Sequence, residues 1–416
     1  MPYYNVSGLV AHNLSGFYSV ARRQQMKRTR WLQETKQMRF EEAYDGWRNR
    51  RLTQEEAALI LGVSDRSFRR YVERFEENGL EGLADRRLTQ VSHRRAPVDE
   101  VIALVDLYSS RHQGWNASHF YDWYSKQGGT RSYTWVKNQL QQAKAIPRSK
   151  RKGVHRKHRE ASALPGMMIH QDGSTHEWVP DQKWDLISTM DDATNEHYSM
   201  FFCAEEGTIS SFQGVRDVIE KRGLFCSFYS DRGSHYWHTP EAGGKVDKSN
   251  PTQFGRAMAH LGITMIAAYS PEARGRSERA FSTHQERLPK ELALMGITTM
   301  DEANRYLRET YVPAFNRRFS HKAREEGTAF MPYIGPQLDD ILCERYERTV
   351  QHDNCVKFEN QVLQIPKDEY RCNYIKAKVW VHCHLDGTIA IFHGPRRLAN
   401  YDSKGQLLKT NEKKAA

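Results

Sequence analysis

Cysteine is scarce in this 416-residue sequence: six residues, Cys203, Cys226, Cys343, Cys355, Cys372 and Cys383, and no CxxC pair. That excludes a disulfide framework and a paired-thiol zinc ribbon, and it suits a reducing compartment. Long apolar runs are missing as well. No stretch approaches the roughly 18 residues that a membrane span needs, and no signal-peptide pattern opens the chain. The expectation is a cytoplasmic, nucleoid-associated protein with no membrane partner. Negative charge is short at the front. Residues 1–160 hold 30 Lys and Arg against 17 Asp and Glu, and the remainder holds 32 against 34. The whole net charge of +11 therefore comes from the first two-fifths, which points to a polyanion-binding front end attached to something else. With 38% hydrophobic and 27% charged residues, what is present suits several globular domains.

The stretch "LTQEEAALILGVSDRSFRRYVERFEENGL" carries a local signal within that front end. Thr53 followed by Glu56 is a capping box, and Ala57, Ile60 and Leu61 recur at helical spacing. Gly62 supplies a turn, and Ser64 is a good cap for a second helix. That helix turns Phe68, Tyr71, Val72 and Phe75 inward and leaves Arg66, Arg69, Arg70 and Arg74 for DNA. A helix, a Gly-containing turn and an Arg-bearing helix make a helix-turn-helix, whose second helix enters the major groove. This domain is placed at 38–90. Residues 1–37 lack periodicity and are expected to be a dispensable, poorly ordered extension, with Met38 a candidate start.

A second helical DNA-binding unit is expected at 97–147, with Ser132 as a cap and Arg131, Lys137 and Asn138 exposed. "RSKRKGVHRKHRE", 148–160, follows with seven Lys and Arg in thirteen residues. It has nothing to bury, so it reads as a linker that tracks phosphates through Arg156, Lys157 and Arg159.

Beyond the linker the pattern alternates. Strands are expected over 167–179, 184–190 and 197–204, then a helix through Phe212, Val215 and Ile219 that stops at Gly223. "LFCSFYSD" reads as a buried strand ending at Asp231. "NPTQFGRAMAHLG" reads as a helix capped by Asn250, and "ITMIAAYSP" as one more strand. A last helix from about Arg274 should kink or end at Pro289. The order is β-β-β-α-β-α-β-α. Asp172 lies in the first strand, Asp231 at the tip of the fourth and Glu278 in the first turn of the last helix. Three such acids can hold divalent metal, which offsets their charge and leaves positions open for phosphate and water.

"HQDGSTHEW", "YSDRGSHY" and "SPEARGRSERAFSTHQERL" resemble the three acid motifs of the DDE transposase and retroviral-integrase superfamily. The resemblance is greatest to ISNCY-type bacterial insertion-sequence transposases. It runs from about Met38 to Tyr401 and includes "PTQFGRAMAHLGI" and "AFNRRF". It implies an RNase H-like catalytic core at 161–320, with Asp172, Asp231 and Glu278 as catalytic and metal-binding residues and Mg²⁺ or Mn²⁺, two ions, as cofactor. The fold class is then multidomain: an all-α helix-turn-helix N-terminal region, this α/β core and a small all-β, barrel-like C-terminal domain. The implied partners are double-stranded DNA, both terminal inverted repeats and target, and further copies of the chain in a dimer or larger assembly. Two features depart from the family. Glu278 follows Asp231 by more residues than is usual in integrases, consistent with "HTPEAGGKVDKSN" as a surface insertion. Gln285 stands where a basic residue often lies seven places after the glutamate, with Arg279 or Arg287 the expected substitutes on DNA.

Other acids and histidines have plainer explanations. Asp191 and Asp192 read as turn formers, Asp185 and Glu177 as solvent-exposed, and Glu286 and Glu291 as helix-surface residues. His170, His176 and His235 read as structural. The region 336–401 is strand-rich, with Asp386–Gly387 as a hairpin turn. In "HCH", alternation puts Cys383 on the face opposite His382 and His384. Two histidines alone make a weak metal set, so strand packing is the expected role. Residues 402–416 read as a disordered tail. The alternative function is a catalytically decayed transposase or a repressor using only its helix-turn-helix.

Overall fold

The computed structural model describes residues 35–84, 96–148, 160–241, 244–269, 275–335, 337–367 and 369–408. The stretch before Thr35, the linker residues Arg156, Lys157 and Arg159, and the tail after Leu408 lie outside them. The chain forms two compact units, Met1–Lys152 and Gly153–Ala416.

In the first unit a helix through 35–48 (α1) precedes α2 (Gln54–Leu61) and α3 (Asp65–Asn78). The capping box forms as read: Glu56 N–H donates to Thr53 Oγ1 (3.2 Å), and Thr53 N–H donates to Glu56 Oε2 (2.8 Å). Gly62 ends α2 with φ +66°, a left-handed conformation that suits glycine. Phe68 and Val72 are buried with Phe40, Ala43, Tyr44, Ala57 and Ala58. Arg66, Arg69, Arg70 and Arg74 are exposed on α3. One apolar assignment is corrected. Ile60 is exposed, as is Leu59, because α2 packs through its two alanines.

A second core, Leu104, Val105, Tyr108, Phe120, Val136 and Leu140, is built by α4 (Val98–Arg111), α5 (Ala117–Lys126) and α6 (Tyr133–Gln142). Most of its aromatics are buried or half-buried, as expected, while Tyr133 is exposed. Arg131 is not free as the sequence suggested. Its guanidinium donates to both Glu100 oxygens, at 2.6 and 2.5 Å, and lies over the Trp135 ring. The partner is 31 residues away, so no local pattern reveals it. Lys137 keeps its ammonium 5.9 Å from the Tyr133 ring centroid.

The second unit contains a five-stranded sheet of order β3-β2-β1-β4-β5. The strands are β1 (Met168–Val179), β2 (Gln182–Asp191), β3 (His197–Cys203), β4 (Ser227–Ser230) and β5 (Thr264–Ala267). The first three are antiparallel, while β1, β4 and β5 run parallel. The helices α7 (Thr208–Arg222), α8 (Gln253–His260) and α9 (Gly275–Met295) complete the expected order of elements.

Alternation along β1 divides its residues between two cores. Ile169 joins Phe212, Val215, Phe228 and Phe254 beneath α7 and α8. Trp178 joins Phe281, Leu288 and Leu292 of α9 on the opposite face. The α7 approach is close. A Cβ on Gly214 would lie 2.6 Å from Thr189 Oγ1 and 2.7 Å from Gln171 Oε1.

Several local expectations give way to tertiary context. Thr252, rather than Asn250, caps α8 by accepting from Gly255 N–H at 3.1 Å. Pro289 neither ends nor replaces a turn of α9, which continues to Met295 because Leu288 and Leu292 are held in the core on either side of it. Helices α10 (Met300–Tyr306) and α11 (Val312–Phe319), joined through a π-helical turn, pack against the same face. They account for "AFNRRF". Asn316 Oδ1 accepts from His197 N–H and its Nδ2 donates to His197 O, both at 2.9 Å, which clamps the start of β3.

The C-terminal region is a five-stranded antiparallel sheet, β12-β11-β10-β9-β6, with a separate β7–β8 ribbon. These strands are β6 (Glu344–Thr349), β7 (Cys355–Phe358), β8 (Gln361–Gln364), β9 (Lys378–Cys383), β10 (Ile389–His393), β11 (Arg396–Tyr401) and β12 (Leu407–Leu408). Sheet and ribbon share one core that includes Val356, Leu363, Val381 and Ile391. The pairing of β12 with β11 carries ordered structure past Tyr401. The hairpin around Gly387 spans 384–388 rather than two residues, and His384 N–H donates to Thr388 O at 2.9 Å.

Candidate active site

Asp172 sits in the middle of β1 at 8% exposure, opposite Ser188 of β2. On its other side β1 pairs in parallel with β4, with Met168, Ile169 and His170 against Ser227, Phe228 and Tyr229. The same register carried two residues further sets Asp172 level with Asp231. Paired residues of neighbouring parallel strands share a face, and the contact of the His170 and Tyr229 rings, 4.7 Å between centroids and tilted by 50°, shows which one. Asp231 lies just past the end of β4, where its Oδ1 accepts Gly233 N–H at 2.9 Å.

Helix α9 is pinned to this face of β1 on both sides of Asp172. Two residues before it, His170 lies 2.8 Å from Asp192 Oδ1, and Arg276 near the start of α9 pairs with the same carboxylate. Two residues after it, Ser174 Oγ accepts from Gln285 Nε2 at 2.9 Å. Glu278 falls between Arg276 and Gln285. It is seven residues from Gln285, about two turns, and so lies on nearly the same side of the helix. Its carboxylate is exposed in the first turn, where a helix dipole favours negative charge. Strand and helix thus present Asp172 and Glu278 between the same two fastenings, with Asp231 alongside. Among the described residues these three acids do not converge on one ligand point.

Asp192 is more than a turn former. It is fully buried, and it also accepts Ser162 N–H and Oγ–H at 2.8 Å each. Burial alone would raise its pKa, yet His170, Ser162 and Arg276 hold it well below the usual carboxylate range. Asp191, by contrast, is a turn residue as read. Its carboxylate accepts Ala193 and Thr194 N–H at 2.9 Å and Gly166 N–H at 2.8 Å, and burial raises its pKa.

Two further assignments are corrected. Asp185 is buried and accepts Glu206 N–H at 2.7 Å, whereas Glu177 is exposed as expected. Arg287, a suggested DNA contact, is buried with its guanidinium 5.0 Å from the Phe319 ring centroid. Gln285 has the structural role just described, and Arg279 is exposed.

Glu206 was not singled out by sequence. It follows β3, and a Cβ on Gly173 would lie 2.2 Å from its Oε2, so the glycine after Asp172 makes room for it. His235 Nε2 lies 3.6 Å from Glu206 Oε1. Nearby, the buried Tyr236 phenol is pushed well above its ordinary pKa, first by burial and then by Glu206, Asp172 and Asp231. Negative charge is thus concentrated at this end of the sheet. The only local signal was an acid just before a helix start.

Residues 42–97 match the family described as winged helix-turn helix. The Sinorhizobium fredii protein named "Putative transposase y4bF" is 28% identical over 355 residues, covering 82% of this chain and 75% of that one. The transposase for insertion sequence IS1202 of Streptococcus pneumoniae is 28% identical over 234 residues, 56% of this chain and 50% of that one. These likenesses are consistent with an insertion-sequence transposase. Among solved structures, the HTLV-2 integrase catalytic core domain in complex with magnesium aligns with 35% of this chain and 89% of its own. The identity is 15% and the TM-score 0.27. No helix among the described residues is long and apolar enough to cross a membrane.

Proposed function

We propose that this chain is a DNA transposase with an RNase H-like core that binds the terminal inverted repeats of its element, cleaves the 3′ ends and joins them to target DNA. The observation that carries this reading is the double fastening of α9 around Asp172, which presents Glu278 along the same face while β4 brings Asp231 level. Asp172 and Asp231 would hold Mg²⁺ or Mn²⁺ jointly, with Glu278 holding a second ion. The donor set fits, because hard divalent cations take carboxylate oxygens. Two ions do not require all three acids at one point. When bound, such ions activate water and neutralise charge developing at phosphorus.

The protein's own side chains arrange this site. Asp192 orients His170 and Arg276, so β1 and the start of α9 keep a common register. The first turn of α9 stabilises the Glu278 carboxylate through its N–H groups. Arg66, Arg69, Arg70 and Arg74 on the exposed side of α3 would read DNA, as second helices of this motif do. Cleavage by water and attack by the freed 3′-OH are both direct displacements at phosphorus, so no covalent protein–DNA intermediate is needed. Two element ends must meet, which calls for a dimer or larger assembly.

The test uses a labelled element end, both uncut and pre-cut. Asp172→Asn, Asp231→Asn and Glu278→Gln are each expected to abolish cleavage and joining while end binding persists. Ca²⁺ should support binding alone. Normal joining by Glu278→Gln would move the third acid elsewhere. End binding without any cleavage by the unmutated protein would favour a repressor or a decayed enzyme.

A further inference from the structure

The C-terminal region contains three side chains that the catalytic reading does not use. His382 and His384 lie two apart at the end of β9 and so share a face, and both are largely buried. Asp340, from the turn that enters β6, projects between them. His384 Nε2 lies 3.2 Å from Asp340 Oδ1, and His382 Nδ1 lies 3.9 Å from the same oxygen. The three ligand atoms lie within 4.8 Å of one another, the one such trio among the described residues. Tetrahedral zinc with bonds of about 2.0–2.2 Å separates its ligand atoms by roughly 3.3–3.5 Å. The set needs only a small contraction to reach that geometry.

A second observation points into the same gap. His382 is 5% exposed, and its Nδ1 has no hydrogen-bond partner. An orphaned ring nitrogen in the interior carries a desolvation cost unless something accepts its lone pair or proton. The surroundings are those of ligand support. His384 Nδ1 is fixed by Thr388 Oγ1 at 2.9 Å, which aims Nε2 at the gap. Arg397 bonds the Asp340 carboxylate, as outer partners of ligating carboxylates do. The His382 ring is held against Phe392 at 4.2 Å between centroids.

We propose that His382 Nδ1, His384 Nε2 and Asp340 Oδ1 form a binding site for a transition-metal ion of the Zn²⁺ class, completed by one water. Two imidazoles and one carboxylate favour such a metal over Mg²⁺. The neighbouring Arg345 and Arg397 add positive charge, which disfavours a cation held by oxygen alone. The site lies at a junction. Leu338, Ile341 and Leu342, on either side of Asp340, pack in the core beneath α7 and α8, whereas the histidines belong to the tail sheet. A bound ion would staple the sheet to the core, adding to the clamp in which Gln253 of α8 bonds Arg345 O at 2.8 Å and Arg345 N–H at 3.1 Å. This site does not depend on the transposase reading.

The test is a titration of the full chain with Co²⁺ alone, followed by visible absorption and then by Zn²⁺ displacement. One equivalent of intense tetrahedral-type absorption is expected, bleached by Zn²⁺, with a Zn²⁺-dependent rise in melting temperature. His382→Ala and His384→Gln should weaken binding at least tenfold. Asp172→Asn should leave it unchanged, which separates this ion from any at the acid site. If the unmutated protein binds no Co²⁺ or Zn²⁺ stoichiometrically, the proposal fails, and the trio with Arg397 is a closed ion pair. Binding that survives both histidine variants, or that disappears in Asp172→Asn, also overturns it.

Discussion

Among single residues, Glu206 shows how a side chain can matter without ligating. Its carboxylate lies against Gly173 and contributes to the negative field felt by Tyr236. Removing that charge should weaken cation retention without removing a ligand. Glu206→Gln is therefore expected to raise the Mg²⁺ concentration for half-maximal cleavage a few-fold while leaving the rate at saturating Mg²⁺ near normal. A metal titration of cleavage measures this, and an unchanged Mg²⁺ requirement would remove Glu206 from the site's electrostatics. Asp172 and Asp231 were legible because each sits within a short motif. Glu206 and Asp340 were not, because their partners are distant in sequence and acids in loops are common.

At the level of elements, α9 and β3 are joined by a buried histidine pair. His284 Nε2 lies 3.2 Å from His197 Nε2, and His284 Nδ1 lies 3.0 Å from the Tyr311 hydroxyl. Burial lowers the His197 pKa to about 4 and drives that of His284 well below its ordinary value, with the neighbouring His197 and Arg287 adding to the effect. Both rings are therefore neutral in the fold, while the unfolded chain takes up protons below about pH 6.5. The stability they support is present above that pH and is lost as pH falls from about 6.5 towards 4. On this basis the second unit should lose on the order of 3 kcal/mol across that window from His197 alone. Denaturant melts at pH 7.5 and 5 read this loss, and His284→Gln should reduce the pH dependence. A flat profile would mean that the pair is solvated. The helical and strand periods that located β1 and α9 in the sequence say nothing of this contact, which exists only where the two cross.

The molecule as a whole joins a basic helical unit to a unit whose positive and negative side chains balance. The exposed arginines of α3 and the linker residues Arg156, Lys157 and Arg159 should act differently on DNA. Arg69→Ala with Arg70→Ala is expected to cost about 1–3 kcal/mol per lost base contact and to relax preference at particular base pairs. Neutralising the linker trio should weaken all DNA alike and flatten the dependence of affinity on salt. Binding to element ends and to random DNA, measured across salt concentrations, distinguishes the two effects. If the α3 double variant keeps full preference for the ends, α3 is not the reading helix.

The sequence by itself determined the elements and their order. Capping residues, the glycine stops and the periods of 2 and 3.6 are local physics, so the helix-turn-helix and the β-β-β-α-β-α-β-α run could be read directly. It also marked three acids by motif. The tertiary structure decided which residues are free to act. Arg131 is taken by Glu100, Arg287 by Phe319, and Gln285 fastens α9 to β1. Asp192 passed from turn former to the buried anchor of His170 and Arg276. The two histidines of "HCH" gained their third neighbour only when the chain folded Asp340 against β9. Each of these depends on partners 22 or more residues away. Pairing over such separations follows from packing the whole chain, and no window of sequence encodes it.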